Sequence, residues 1–261
     1  MTGARADGSR SFYFFDIDDN LVFLATKVYL WNAETRTEMA ISTAEYALCQ
    51  PQLGRPGPWQ AWSEREETFR DFRDAPDTAA RDQIFVKDLV AAISSGTSWQ
   101  GPSWPLLEHA ARGRRPIAVI SARGHQPSTI VEGFTLLAER GLLAAVPPIV
   151  GVYTVNNPQV RTQIGATDPA MTVPSRKKLA IKCAVDTALA EYGRDLAHRF
   201  GMSDDDPANV VLAISAMRDC KVTHADKRFF VINTNGAEFV KLEVFTIDDP
   251  VTAAHHGMHI L

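Results

Sequence analysis

Three short apolar runs in this chain each end abruptly in a polar cluster, and helical stretches separate them. Ser11-Phe-Tyr-Phe-Phe15 stops at Asp16-Ile-Asp-Asp-Asn20, and Pro116-Ile-Ala-Val-Ile120 stops at Ser121-Ala-Arg-Gly124. A third run, near Ala197–Met202, meets Ser203-Asp-Asp-Asp206. An apolar run cut off by acids reads as a buried strand reaching a polar edge. Strands that alternate with helices imply a parallel sheet covered on both faces, a Rossmann-like α/β architecture. Ligands of such sheets collect beyond the carboxyl ends of the strands. The shared placement of the three clusters therefore predicts one site.

The remaining elements follow from periodicity and turn residues. Helices are expected over Leu106–Arg112, Thr129–Arg140, about 175–192 and Pro207–Arg218, with a strand over Ile149–Val155. Thr26–Trp31 and Thr37–Thr43 are β-prone and flank Asn32–Arg36, which predicts a hairpin. Asn235-Gly236 between Phe229–Asn233 and Ala237–Phe245 predicts another. Residues 63–95 read as mainly helical, broken near Asp74–Asp77. Loops are expected over 51–58 and 156–174, and residues 1–10 as a frayed tail. The core domain then comprises 11–25 and 106–261, and 26–105 is an inserted region. All five tryptophans, Trp31, Trp59, Trp62, Trp99 and Trp104, lie in that insertion, most simply as its core.

Composition excludes several classes of protein. At 261 residues and 45% hydrophobic content the chain has enough apolar material for a large core, so neither disorder nor a disulfide-dependent mini-protein fits. A net charge of −4 counts against a general nucleic-acid binder. No apolar run approaches membrane-spanning length, and Met1–Arg10 has no signal core, so a cytoplasmic protein is expected. Cys49, Cys183 and Cys220 are odd in number and widely spaced, as buried free thiols are. The terminal His255, His256 and His259 are not expected to bind metal, and Arg123 and His125 are expected to face solvent or, as the second reading, to bind a distal group of the substrate. Nothing in the sequence specifies an oligomeric state.

The clusters themselves suggest phosphoryl chemistry. Asp16 and Asp18 share a turn after a strand. One carboxylate can attack phosphorus while its neighbour exchanges a proton with the leaving group and then with water. Carboxylates this close need a counter-charge, and Asp204 and Asp205 offer further oxygen ligands. Oxygen donors without His or Cys favour Mg²⁺ over zinc. The Ser121 hydroxyl and the main-chain N–H groups of Ala122 and Arg123 suit a phosphoryl oxygen. Lys177 or Lys178, at the start of the helix before the third cluster, can add positive charge to the transferring group.

These residues resemble a known family. Phe14-Phe-Asp-Ile-Asp-Asp-Asn-Leu21 is similar to motif I of the haloacid dehalogenase (HAD) superfamily, and Ile117–Ser121 resembles motif II. Lys177 or Lys178 falls where motif III places its lysine, and Ser203-Asp-Asp-Asp-Pro-Ala-Asn209 resembles motif IV. The resemblance implies Asp16 as nucleophile and metal ligand, and Asp18 as general acid/base with its carbonyl on Mg²⁺. It also implies Ser121 on the phosphoryl group, one lysine as charge stabiliser, and Asp204 or Asp205 on the metal. Asn20 departs from the usual Thr or Val and is placed beside the substrate or capping the turn. Asp206 could instead cap the next helix. The resemblance implies a Mg²⁺-dependent phosphohydrolase acting on a small-molecule phosphate ester, with residues 26–105 as its cap. The alternatives are a phosphatase of nucleic-acid ends and a non-catalytic binding module on the same fold.

Overall fold

The computed structural model describes residues 3–234 and 239–246, together with the backbone of 252–256. The chain divides into two compact units. The first comprises residues 1–23, 98–123 and 134–261, and the second 24–97 and 124–133.

The first unit is built on a seven-stranded sheet. Its strands are β1 (Ser11–Phe15), β5 (Ile117–Ser121), β6 (Ile149–Thr154), β7 (Arg199–Asp204), β8 (Arg228–Asn233), β9 (Val240–Val244) and β10 (Thr252–His256). They lie in the order β10-β9-β8-β7-β1-β5-β6. The five from β8 to β6 are parallel, and β9 and β10 extend the sheet antiparallel. The architecture is α/β and consistent with a Rossmann-like fold. Every residue of β1 and β5 is buried, which explains their unbroken apolar sequence: a central parallel strand has no solvent face. From β1 the chain steps outward through β5 and β6 and then returns to β7 on the other side of β1. That reversal at β1 and β7 is the kind of switch point beyond whose carboxyl ends open α/β sheets hold their ligands.

Helices α6 (Val173–Tyr192) and α7 (Pro207–Thr223) pack together on one face. Phe12 and Phe14 enter the core beneath them, with Ala180, Ala184 and Ala188 of α6 and Ala213 and Met217 of α7. Alternation sends Tyr13 to the other face, where its ring meets His109 of α3 (Trp104–Arg112) at 6.0 Å between centroids. Residues 3–10 are held rather than frayed. Ala4 bridges to Arg10, and Asp7 accepts from the N–H and hydroxyl of the buried Ser9. The stretch 156–174 contains a short helix, α5 (Pro158–Gln163). It begins where the Asn157 side chain caps two N–H groups ahead of Pro158. The Asn235-Gly236 turn lies outside the described residues, but the strands on either side of it, β8 and β9, are antiparallel neighbours.

In the second unit the expected hairpin is present. β2 (Val28–Asn32) pairs with β3 (Thr37–Ile41), and β4 (Trp62–Ser63) adds to the free edge of β2. Val28, Leu30, Ile41 and Cys49 form its buried cluster, flanked by Trp59 and Trp62. α1 (Thr43–Cys49) starts with a reciprocal Ser42–Glu45 capping box. Residues 63–83 correct the expected long helix. Ser63 is in a strand, and only single turns form at Arg70–Phe72 and Ala80–Asp82 before α2 (Ile84–Ser94). The Gln83 side chain bonds to Ala75 N–H and carbonyl and to the Thr78 carbonyl, clamping a loop where Pro76 blocks a helix. His125, expected in solvent, is buried against Phe85, with ring centroids 5.7 Å apart. α4 (Pro127–Glu139) begins in this unit. Trp99 and Trp104 belong to the first unit and meet edge to face.

The three cysteines are free thiols, Cys49 and Cys220 buried. Among the described residues, no helix is long and apolar enough to cross a membrane.

Candidate active site

The register of the sheet brings the three polar clusters to one edge. Phe15 pairs with Val119 on one side and Ser203 on the other, so Asp16, Ser121 and Asp204 all emerge at the carboxyl ends of adjacent strands. Asp16 is buried. Its Oδ1 accepts the N–H of Ile17 at 2.9 Å, and its Oδ2 accepts from Lys177 Nζ at 2.7 Å. The same ammonium lies 3.8 Å from Oδ2 of Asp204. One lysine therefore sits between two buried carboxylates.

This geometry selects Lys177. Lys178 does not join the site, which corrects its candidacy. Its ammonium turns toward α7, 3.0 Å from Ser215 Oγ and 2.8 Å from Asp219 Oδ2. Adjacent residues on a helix point about 100° apart, so only one of the pair can face the sheet edge. Of the acidic run, Asp204 is wholly buried, Asp205 is half-buried beside it, and Asp206 caps α7 through the N–H of Ala208 at 2.7 Å. Oδ1 of Asp204 accepts from Asp206 N–H and Asn209 Nδ2, while its Oδ2 accepts no hydrogen bond.

Burial sets the electrostatics. It pushes the Asp16 carboxyl upward against the pull of Lys177. Burial and the nearby Asp16 raise Asp204 to about 7, and burial raises Asp205 to about 6. Burial opposes the charge on Lys177, but Asp16 and Asp204 outweigh it and hold the ammonium above its usual range.

Asp18 meets a partner that the sequence leaves between solvent and a distal substrate group. Arg123 is wholly buried, and its guanidinium grips Asp18: Nε donates to Oδ2 at 3.0 Å and Nη2 to Oδ1 at 2.6 Å. The main chain of Arg123 differs from expectation too. Its N–H donates to Ser121 Oγ at 3.2 Å, so that donor is engaged within the loop. Ser121 itself is wholly buried at the end of β5. Ala122 is exposed, and its carbonyl accepts from Asn156 Nδ2 at 2.6 Å.

Asn20 is not placed to touch a ligand, which corrects its substrate-binding assignment. It is wholly buried, and its Nδ2 donates to the carbonyls of Asp16 and Ser203. Its Oδ1 accepts from Ser103 Oγ at 2.6 Å and Thr234 Oγ1 at 3.0 Å. Asn20 thus ties the loop after β1 to β7 and to two distant segments. Asp19 completes this turn with φ 60°, a left-handed conformation that aspartate tolerates. Gly101 is required for the same packing, since a Cβ there would lie 2.4 Å from the Asn20 carbonyl oxygen. Ser103, Thr234, Asn156 and Gly101 were missed by sequence reasoning because their partners are remote in the chain.

Among the described residues, no three His, Cys, Asp or Glu side chains group so as to hold a metal ion. The donor chemistry nevertheless suits a hard cation. Two buried carboxylates share one ammonium, and Oδ2 of Asp204 is an acceptor without a donor. Mg²⁺ is commonly held by one or two carboxylates, with waters completing its shell.

No protein-family model, curated protein or solved structure matches the chain.

Proposed function

We propose that this chain is a phosphohydrolase of the haloacid dehalogenase type, which cleaves a phosphate monoester through a phosphorylated Asp16. One observation carries the reading: Lys177 bridges Asp16 and Asp204 at the carboxyl edge of β1 and β7, beside the end of β5 that bears Ser121.

The chemistry follows from the roles of these groups. An Asp16 carboxylate oxygen attacks phosphorus, and the bond from phosphorus to the ester oxygen breaks. Asp18 gives its proton to the departing oxygen, then takes one from the water that attacks the phospho-aspartate. Inorganic phosphate leaves, and Asp16 is restored. Lys177 neutralises charge on the transferring group, and the Ser121 hydroxyl receives one of its oxygens. Mg²⁺, held by Asp16, Asp204 and the Asp18 carbonyl, would supply further charge neutralisation. Both Asp18 oxygens accept from Arg123, the arrangement of the ionised carboxylate, so the two-pronged pair loosens while Asp18 carries its proton and re-forms once that proton has passed to the leaving group. The inserted region, residues 26–105, is the candidate for selecting the substrate.

The test is phosphate release from sugar phosphates, nucleotides and phospho-amino acids, with Mg²⁺ or with chelator. Release that needs Mg²⁺ and falls by about 10³-fold or more in Asp16→Asn is expected. Full activity in Asp16→Asn overturns the reading. Tight ligand binding without turnover across the panel would instead favour a non-catalytic module.

A further inference from the structure

The sheet face opposite α6 and α7 gathers cations at the amino end of its strands, away from the catalytic edge. Register places Ser11, Arg199 and Arg228 side by side at the starts of β1, β7 and β8. Phe12, Phe14, Phe229 and Val231 enter the core under the helices, so alternation turns this row to the other face. Asp204 ends the strand that Arg199 begins, roughly 17 Å away at the rise of a strand.

Two more cations converge on this row. Arg5 arrives from the N-terminal segment and donates to Ser11 Oγ at 3.1 Å. Lys241 of β9 pairs with Ile232 in the backbone, but its side chain runs back along the sheet. Its ammonium lies 4.2 Å from the centroid of the Phe230 ring. The Arg228 guanidinium lies 5.2 Å from the centroid of the same ring. Phe230 is buried, so one fixed ring holds both cations at one spot.

The charges at this spot do not balance. Glu243 meets Arg228 in a two-pronged pair at 2.8 and 2.7 Å, which occupies both of its oxygens. Asp7 is exposed and accepts from the N–H and hydroxyl of Ser9. The half-buried Arg199 side chain makes no hydrogen bond or ion pair, and neither Arg5 nor Lys241 forms an ion pair, among the described residues. Their fields oppose one another. Burial first, and then Arg199 and Arg228, press the Lys241 ammonium down to about 8. Burial, and then Arg5 and Arg228, lower Arg199, and burial and Arg115 lower Arg5. Half-buried like charges without partners are unfavourable, and an incoming anion relieves them.

The arrangement selects the kind of anion. A single carboxylate satisfies one guanidinium fork, as Glu243 does for Arg228. Arg5, Arg199 and Lys241 remain, from three different segments, and they call for more charge and more oxygens. A phosphate group carries about −1.5 to −2 at pH 7 and several acceptor oxygens, which suits two guanidinium groups and an ammonium. The Arg228 side chain is 46% exposed, so the spot opens to solvent.

We propose that Arg5, Arg199 and Lys241, with Arg228 beside them, form an anion site that takes one phosphate group, either inorganic phosphate or a small phosphate monoester. The site lies at the opposite end of the strands from Asp16 and does not rest on the phosphohydrolase reading. The bound group ties the N-terminal segment and β7 to β9, so binding stabilises the fold.

The test uses the full chain as Asp16→Asn with chelator present, so that an ester is not turned over. The probes are inorganic phosphate and glycerol 2-phosphate, at an ionic strength held near ~0.15 M with chloride. Titration calorimetry gives the affinity, and a thermal melt gives the midpoint. A rise of about 5 °C is expected at ~100 times the dissociation constant. The catalytic edge also has groups for phosphate, so the difference between this protein and the same protein with Arg199→Gln and Lys241→Gln is the measurement. The added substitutions are expected to weaken binding at this site roughly 10-fold or more and to remove most of the rise. The melt without phosphate shows whether that variant folds, and Arg199→Gln alone serves if it does not. Tighter binding of the ester assigns the site to a phosphorylated small molecule, tighter binding of inorganic phosphate assigns it to the free ion, and both support the proposal. Equal affinity and equal rise in the folded variant overturn it and place the phosphate elsewhere. An equal rise with acetate at the same ionic strength also overturns it, in favour of a carboxylate.

Discussion

Arg123 holds Asp18 through both carboxylate oxygens from a position with no solvent contact, while the Asp18 side chain is 25% exposed. On the proposed chemistry it is a positioning residue that aims the proton-transfer group. Arg123→Met is expected to lower kcat about 10- to 100-fold with little change in KM, because the lost geometry matters in the transition state. Arg123→Lys should not restore it, since an ammonium cannot span both oxygens, and steady-state kinetics on the best ester checks both variants. Stability should fall by about 2 kcal/mol in Arg123→Met, between the values for exposed and buried pairs. Asn20 acts on the fold. Asn20→Ala strands the hydroxyls of Ser103 and Thr234 and two carbonyls in a dry site, so a loss of about 3 kcal/mol in urea unfolding is expected. The positions of Asp16, Asp18, Ser121 and Asp204 at strand ends were legible because each follows or closes an apolar run. Arg123 and Asn20 were misjudged because a side chain's partner 83 or 105 positions away leaves no local mark.

At the level of elements, strands and helices with strong periodicity were legible and irregular segments were not. β1, β5, α3 and α6 fall within a residue or two of expectation, because each is specified by its own apolar pattern and caps. Residues 63–83 depart from the expected helix because Phe69 and Phe72, at helical spacing, flank a single turn where Phe69 packs on Tyr46 and Phe72 on the hairpin cluster. The leading edge of β1 gives a pH prediction. The N–H of Arg10 donates to His198 Nδ1 at 3.1 Å, and Nε2 of the ring lies 2.9 Å from the Gly193 carbonyl. The ring is therefore neutral with its proton on Nε2, and burial lowers its proton affinity from the usual 6.5. The unfolded chain then binds a proton that the native state resists. Stability contributed here is complete above 6.5 and declines as pH falls toward the lowered native value. The thermal midpoint of the parent is expected to fall relative to that of His198→Gln between about pH 7.5 and about pH 5.5, and the difference is the measurement because the raised Asp204 and Asp205 carboxyls shift both proteins the other way.

At the scale of the molecule, one sheet both defines the core and gathers the site. Asp16, Asp204 and Lys177 come from β1, β7 and α6, and only the strand order makes them neighbours. A bound cation would be felt by the whole fold, because ligands stabilise the state that binds them. On the proposed reading Mg²⁺ at ~100 times its dissociation constant should add about 2.7 kcal/mol, seen as a raised thermal midpoint. Asp204→Asn should lose most of that rise. Equal rises in parent and variant would place the ion elsewhere.

The sequence by itself determined the α/β class, the strand ends that carry Asp16, Ser121 and Asp204, and the capping of α7 by Asp206. These follow from local pattern: apolar runs bury, acids end them, and a cap bonds the N–H two residues on. Tertiary structure alone chose Lys177 over Lys178, paired Arg123 with Asp18, buried Asn20 and aligned Arg199, Arg228 and Lys241 on one face. Those outcomes depend on strand order and register. Register is set by the packing of the whole sheet, and a shift of one residue would turn every one of these side chains to the opposite face.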